Sequence, residues 1–341
     1  MSFRSGDWVV VKSREEILAS VDGSGELEAM PFMTEMLKYC GQKLQISAVA
    51  HKTCDTINRT GGRSVANAVH LKGIRCDGSA HGGCQAACLI FWKTDWLRPA
   101  ARKSAAEPKL AVAPLMAVDE LSARSLRVDD AGEKVYSCQA TRLFAASRPL
   151  QWWDLRQYAT DLSCGNVSIG RFLRAALLRG LYHLRRLGIG YRAALALEDM
   201  AHKLLTGRPS PYRVGLIPVG QLTPTDTLNL ARGDWVEVKS HEEIRGTTTE
   251  QNLNRGMLYG PEMTEYCGRR FKVDRRVERL IDERTGKMLA MKLPCIVLDG
   301  VVCTSDYSQR RLFCPREIQP YFREIWLRRV SVQAREDDGA P

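Results

Sequence analysis

Two histidines and four cysteines fall close together in the chain, in the order His51, Cys54, Cys76, His81, Cys84 and Cys88. Thiolate and imidazole are the donors that a zinc-class ion takes four at a time, in a tetrahedron. Glycines at 78, 82 and 83 free the backbone to bring two donors from one loop to one ion. Cys84-x3-Cys88 supplies one pair, and Cys54 and Cys76 a second from adjacent strands or turns. The pattern predicts a zinc site of Cys54, Cys76, Cys84 and Cys88, with His51 and His81 as further candidate ligands. The same four thiolates could instead hold an iron–sulfur cluster. The spacing matches no standard zinc ribbon or finger, and free cysteines also serve as small buried hydrophobes. Cys138 and Cys164 have no such neighbours and read as core thiols.

A second chemistry lies in the charge. The chain of 341 residues carries a net +11, of which residues 101–232 hold 19 basic against 11 acidic side chains. Between Asp161 and Glu198 there is no acid and there are six arginines. At 100° per residue, Arg171, Arg174, Arg179, Arg185 and Arg186 share one side of a helix whose apolar positions include Phe172, Leu173, Leu177 and Leu184. Such a face suits phosphates, an acidic protein surface or nucleic acid. The competing expectation is a solvated face, paired with acids of the same chain.

An internal repeat positions both features. Gly6-Asp-Trp-Val-Val-Val-Lys-Ser13 returns as Gly233-Asp-Trp-Val-Glu-Val-Lys-Ser240, with seven of eight residues identical at an offset of 227. The offset carries Glu35, Met36, Tyr39, Cys40 and Gly41 onto Glu262, Met263, Tyr266, Cys267 and Gly268, and Cys76 onto Cys303. Three inserted residues make it 230, which carries Cys84, Trp96 and Leu97 onto Cys314, Trp326 and Leu327. The chain is thus expected to contain one domain twice, at 5–98 and 232–330. The second copy has isoleucine, Ile281 and Ile318, where the first has Cys54 and Cys88, and it lacks both histidines. The metal site is accordingly assigned to the first copy, with Cys40 and Cys267 structural in matching Tyr-Cys-Gly turns.

Within each copy, Trp8–Lys12, Lys43–Val49 and Ala68–Ile74 read as strands, and Ser13 with Glu16 forms a capping-box pattern for a short helix. The opening Gly-Asp-Trp-Val-x-Val-Lys resembles the first strand of Src-homology-type and KOW-like small β-barrels. That resemblance implies a binding scaffold and carries over no catalytic residue. Residues 99–134 read as an extended linker. A helical middle domain at 135–205 follows, with one strand over Val135–Leu143 and a long helix capped by Asn166 or Ser168. A proline-rich linker at 206–231 and a disordered tail at 331–341 complete the organisation. The fold class is α+β: two duplicated antiparallel barrel-like domains flanking a helical middle.

Composition excludes several classes. Apolar residues make 44 % and charged residues 26 % of the chain, as in ordinary globular proteins. No apolar run is long enough to span a membrane, and the N-terminus lacks a secretion signal. A cytoplasmic location with reduced thiols is expected. Phosphate-binding loops, zincin motifs and nucleophile elbows are absent from the sequence. The leading expectation is a zinc-stabilised, non-catalytic binding or adaptor protein with an anionic partner. The alternatives are a metalloenzyme or iron–sulfur redox protein using the first-copy site, and a nucleic-acid binder.

Overall fold

The computed structural model describes residues 3–100, 118–186 and 191–330. Residues 101–117 of the expected linker, the tail 331–341 and the side chains of Leu184, Arg185 and Arg186 lie outside the described residues. The chain forms a mixed α+β fold with two half-barrel antiparallel sheets. It divides into two units: unit 1 holds Met1–Ile169, Arg279–Ala290 and Gln309–Glu317, and unit 2 the remainder.

The strands of unit 1 are β1 (Trp8–Val11), β2 (Lys43–Val49), β3 (Lys52–Cys54), β4 (Gly62–Val65), β5 (Ala68–Arg75), β6 (Leu89–Lys93), β7 (Leu97–Pro99), β8 (Leu126–Val128), β9 (Lys134–Tyr136) and β10 (Ser147–Leu150). The main sheet runs β6-β5-β2-β1-β7, a smaller one runs β10-β4-β3, and β8 and β9 form a ribbon. Its helices are α1 (Arg14–Leu18), α2 (Val118–Arg124), α3 (Gln139–Arg142) and α4 (Arg156–Ser163). Register shifts between Ile46 and Ala48 and between His70 and Arg75 bend the sheet around one core that includes Val9, Met36, Leu71, Trp92 and Trp96.

Unit 2 repeats the plan. β11 (Trp235–Val238), β12 (Arg270–Ile281, in unit 2 up to Glu278), β13 (Met288–Leu298, in unit 2 from Met291) and β14 (Leu327–Arg329) pair in the order β13-β12-β11-β14. Trp8 faces Gln45 and Val11 faces Leu97 in the first copy; Trp235 faces Lys272 and Val238 faces Leu327 in the second. These are the same pairs at offsets of 227 and 230, so the sequence repeat is a repeat of strand pairing. The capping box forms twice: Ser13 accepts from Glu16 N at 3.3 Å, and Ser240 from Glu243 N at 3.3 Å. Unit 2 also carries α5 (Ile169–Arg186, from Gly170 onward), α6 (Tyr191–Thr206) and α7 (His241–Arg245).

Two local expectations change. The alternation over Val135–Leu143 resolves into β9 followed by α3, because Thr141 Oγ1 accepts from Cys138 N at 2.9 Å and starts a helix where a strand would continue. Asn166 caps no helix; its amide accepts from Val49 N and donates to Val49 O, both at 2.9 Å, and so extends the edge of β2.

One core polar group has a measurable consequence. His70 on β5 is fully buried; its Nδ1 donates to Ile90 O at 2.8 Å, and its Nε2 has no partner. Burial pushes its pKa down to about 4, so the folded protein keeps it neutral. The unfolded chain takes up that proton near pH 6.5. The stabilisation is therefore complete above pH 6.5 and is lost as the pH falls from 6.5 toward 4, by up to roughly 3 kcal/mol. The second copy has Val297 at this position, also fully buried. His70→Val should flatten this part of the stability profile between pH 7 and 5, measured by urea denaturation. An unchanged acid limb would show that other groups set it.

Candidate metal centre

Three side chains converge at one end of β5. Glu35 sits on a short 3-10 segment, Thr34–Tyr39, and is buried there beside Met36. Cys76 follows β5 directly, and its N–H donates to Cys88 O at 2.9 Å. His81 rides on the glycine loop, where His81 N and Gly83 N both donate to Gly78 O at 2.9 Å. Gly78 and Gly82 have φ of +71° and +62°. A Cβ at Gly78 would stand 2.1 Å from Cys84 O, and one at Gly82 2.3 Å from the Tyr136 hydroxyl. Only glycine allows this loop to close.

The candidate ligand atoms of Glu35, Cys76 and His81 lie within 4.8 Å of one another, and this group could bind a metal ion. His81 Nδ1 stands 2.6 Å from Glu35 Oε1, and Cys76 Sγ 3.4 Å from the same oxygen. His81 Nε2 lies 3.2 Å from Ser137 O, a carbonyl that can only accept, so Nε2 donates there; Nδ1 donates to Glu35 in the metal-free protein and is the nitrogen that would face an ion. A backbone carbonyl on the far ring nitrogen is the usual way a ligating histidine is oriented. Glu35 Oε2 is buried without a partner. A buried carboxylate oxygen left unpaired is costly, and a cation would relieve it. Burial alone would raise the Glu35 carboxyl, but the hydrogen bond and charge of His81 outweigh it and hold it below the ordinary value. Burial, then the Glu35 charge, push the Cys76 thiol up. A cavity of about 40 Å³ adjoins the group, lined in part by Cys76, His81, Cys84, Cys88 and Cys138.

The second copy shows what the same scaffold does without the histidine. Glu262, the counterpart of Glu35, accepts from Tyr307 N at 3.0 Å and from Thr304 Oγ1 at 3.1 Å. Cys303, the counterpart of Cys76, contacts Ser305 Oγ at 3.4 Å. Backbone and hydroxyl donors occupy the carboxylate that in the first copy faces a thiol and an imidazole.

The remaining residues of the sequence pattern lie outside this three-residue group. Cys54 packs against Cys314; hydrogen bonding from that thiol, with help from Arg316 and Arg311, lowers its pKa to about 6 against the effect of burial. Cys84 Sγ accepts from Ile281 N at 3.4 Å. Cys88 lines the adjoining cavity and is pushed up to about 12 by burial. His51 Nε2 pairs with Asp161 at 2.8 Å. Glu35 is the residue that spacing did not mark as a ligand. The available signal was a glutamate set between methionines, in Met33-Thr-Glu-Met36.

Among the arginines, Arg171 forks onto Asp306, 2.7 Å at the closest approach, and onto Thr304 O at 2.9 Å. Arg174 reaches the same carboxylate at 3.8 Å. The covered face of α5 runs through Ala175 and Leu178, whereas Leu173 and Leu177 are 61 % and 53 % exposed. The apolar stripe expected at Leu173 and Leu177 therefore faces out, and Arg171 lies toward the covered side. No protein-family model, no curated protein and no solved structure matches this chain.

Proposed function

We propose that the protein is a metal-stabilised, non-catalytic binding or adaptor protein. Its unit 1 would hold one zinc-class ion on Glu35, Cys76 and His81, and two related barrel-like domains would flank the helical segment. The observation that carries this reading is the buried, oriented trio with one orphaned carboxylate oxygen. A carboxylate, a thiolate and an imidazole together suit zinc better than the hard cations, which prefer oxygen alone. The ion would tie the 3-10 segment, the end of β5 and the glycine loop together, beside the exposed Lys38–Asp77 pair that already links the first two. Glu35 and His81 are 5 % and 1 % exposed, and the adjoining cavity is far below the ~300 Å³ of an ordinary substrate pocket. Both facts support a structural ion. A nearby thiol such as Cys88 or Cys138 could complete a tetrahedron. The chain is proposed to work in the cytoplasm, where thiols stay reduced, and to present its basic middle to an anionic partner.

The metalloenzyme alternative draws support from the ligand count, since three protein ligands and an open position mark catalytic zinc. Elemental analysis of the purified full chain should find about one zinc per molecule. Cys76→Ser and His81→Gln should each lose it, while Glu262→Gln in the second copy should keep it. Unchanged metal content in the first two variants would overturn the assignment. Chelation should lower the melting temperature, because the ion is bound by the folded state alone. In the cobalt-substituted protein, visible bands that ignore added azide support a closed structural site, and bands that shift with azide support the open, catalytic one.

A further inference from the structure

A second cavity in unit 1 has a different chemistry. It encloses about 570 Å³ between the C-terminal end of α2, the β8–β9 ribbon, α3 and the turn at 284–286. Its walls bring together Arg124, Arg127, Arg142 and Arg284, against a single carboxylate, Glu26. Glu26 is already taken: Arg142 grips it with Nε at 2.6 Å and Nη2 at 2.9 Å. Arg284 is anchored by Nη2 on Ile57 O at 2.8 Å. Arg124 and Arg127 are exposed, and neither has an ion-pair or hydrogen-bond partner among the described residues. Elsewhere in the protein, Arg276 is paired with Glu324 and Arg329 with Asp234. Arg124 and Arg127 are distinguished by opening together onto one cavity that two anchored arginines also line.

We propose that this cavity binds a small polyphosphate, a ligand carrying at least two linked phosphate groups. Four arginines against one carboxylate leave a local excess of three positive charges, more than one phosphate neutralises. The planar guanidinium fork matches phosphate oxygens two at a time. Arg124 and Arg127 are the groups free to do so, while Arg142 and Arg284 add field from fixed positions. The volume lies in the range of small-molecule pockets and is too confined for a nucleic-acid duplex. Tyr136 and Leu126 give the cavity an apolar wall for an uncharged moiety attached to the phosphates. The inference gives three arginines of the basic middle segment, Arg124, Arg127 and Arg142, an anion to hold, and does not depend on the metal centre.

Calorimetric titration of the full chain with sodium pyrophosphate, and separately with ADP, tests it. Both should bind saturably near one equivalent, more tightly than orthophosphate by at least about tenfold, because a second phosphate engages a second charged donor. Added salt should weaken binding, since the charges are only partly shielded from solvent. The double variant Arg124→Gln/Arg127→Gln should lose at least about tenfold in affinity with an unchanged melting temperature, both side chains being exposed and unpaired. The metal content of the protein recovered after the pyrophosphate titration should equal that before it; metal lost to the pyrophosphate in step with the heat would mean that the signal reports on the ion, and would overturn the proposal. The proposal fails if pyrophosphate gives no saturable heat at millimolar concentration, or if the arginine double variant binds unchanged. It fails equally if a single-stranded oligonucleotide binds more tightly than pyrophosphate or ADP, which would indicate an extended backbone-binding surface.

Discussion

Replacing Asp161 by alanine should destabilise unit 1 by roughly 3–5 kcal/mol, the cost of stranding a buried charge. Asp161 on α4 is 0 % exposed and accepts from Lys52 Nζ at 2.5 Å and from His51 Nε2 at 2.8 Å. Lys52 is itself 3 % exposed, donates to Leu312 O at 2.8 Å and lies near the Tyr158 and Phe313 rings. Burial pushes the Lys52 ammonium below its ordinary pKa, and the Asp161 charge opposes that shift. Without the carboxylate, the ammonium retains one carbonyl and two ring faces, which do not repay its desolvation. The double variant Lys52→Met/Asp161→Leu removes both charges and should recover most of the loss, because a buried ion pair is often matched by apolar residues of similar volume. Native-state hydrogen exchange of the β3 and β4 amides reads the effect in unit 1 directly. An Asp161→Ala protein within about 1 kcal/mol of the original would show that water reaches and solvates Lys52.

Trp96→Ala should cost a comparable 3–5 kcal/mol, the usual range for emptying a buried aromatic site. Trp96 is fully buried and meets Phe32 edge to face at 5.2 Å. The second copy repeats the pair: Trp326, also fully buried, meets Tyr259 at 5.4 Å, and Tyr259 stands 227 residues after Phe32. Each alanine variant should lower the protection of its own sheet, because each sheet has its own core. The two tryptophans differ in one respect that a milder change exposes. Trp326 Nε1 donates to Thr247 Oγ1 at 3.0 Å, whereas Trp96 Nε1 is buried without a partner. Trp326→Phe should therefore cost about 1 kcal/mol more than Trp96→Phe, the worth of one net hydrogen bond and the hydroxyl it leaves behind. Equal costs for the two phenylalanine variants would mean that the indole hydrogen bond contributes nothing.

The duplication was readable without coordinates because identical residues at a constant offset impose identical strand register. Trp8 with Gln45 and Trp235 with Lys272 are one pairing written twice. The capping boxes were readable for a related reason, since Ser13 and Glu16 interact over a single turn. Cys76 and His81 could be marked as candidate ligands, alongside Cys54, Cys84 and Cys88, because the glycines between Cys76 and Cys84 announce a loop that must close tightly. Local patterns mislead where two structures share them. The alternation at Val135–Leu143 fits a strand until Thr141 caps a helix, and the arginine-rich α5 has two apolar stripes of which packing covers only one. Partners far apart in the chain were settled by tertiary structure alone. Glu35 joins Cys76 and His81 across 41 and 46 residues, and Lys52 meets Asp161 across 109. The arginine cavity draws on segments from Ser24 to Gly286. Periodicity records which side of an element is apolar. Which charged groups converge depends on how the sheets bend and where each loop returns, and residue spacing carries no record of that.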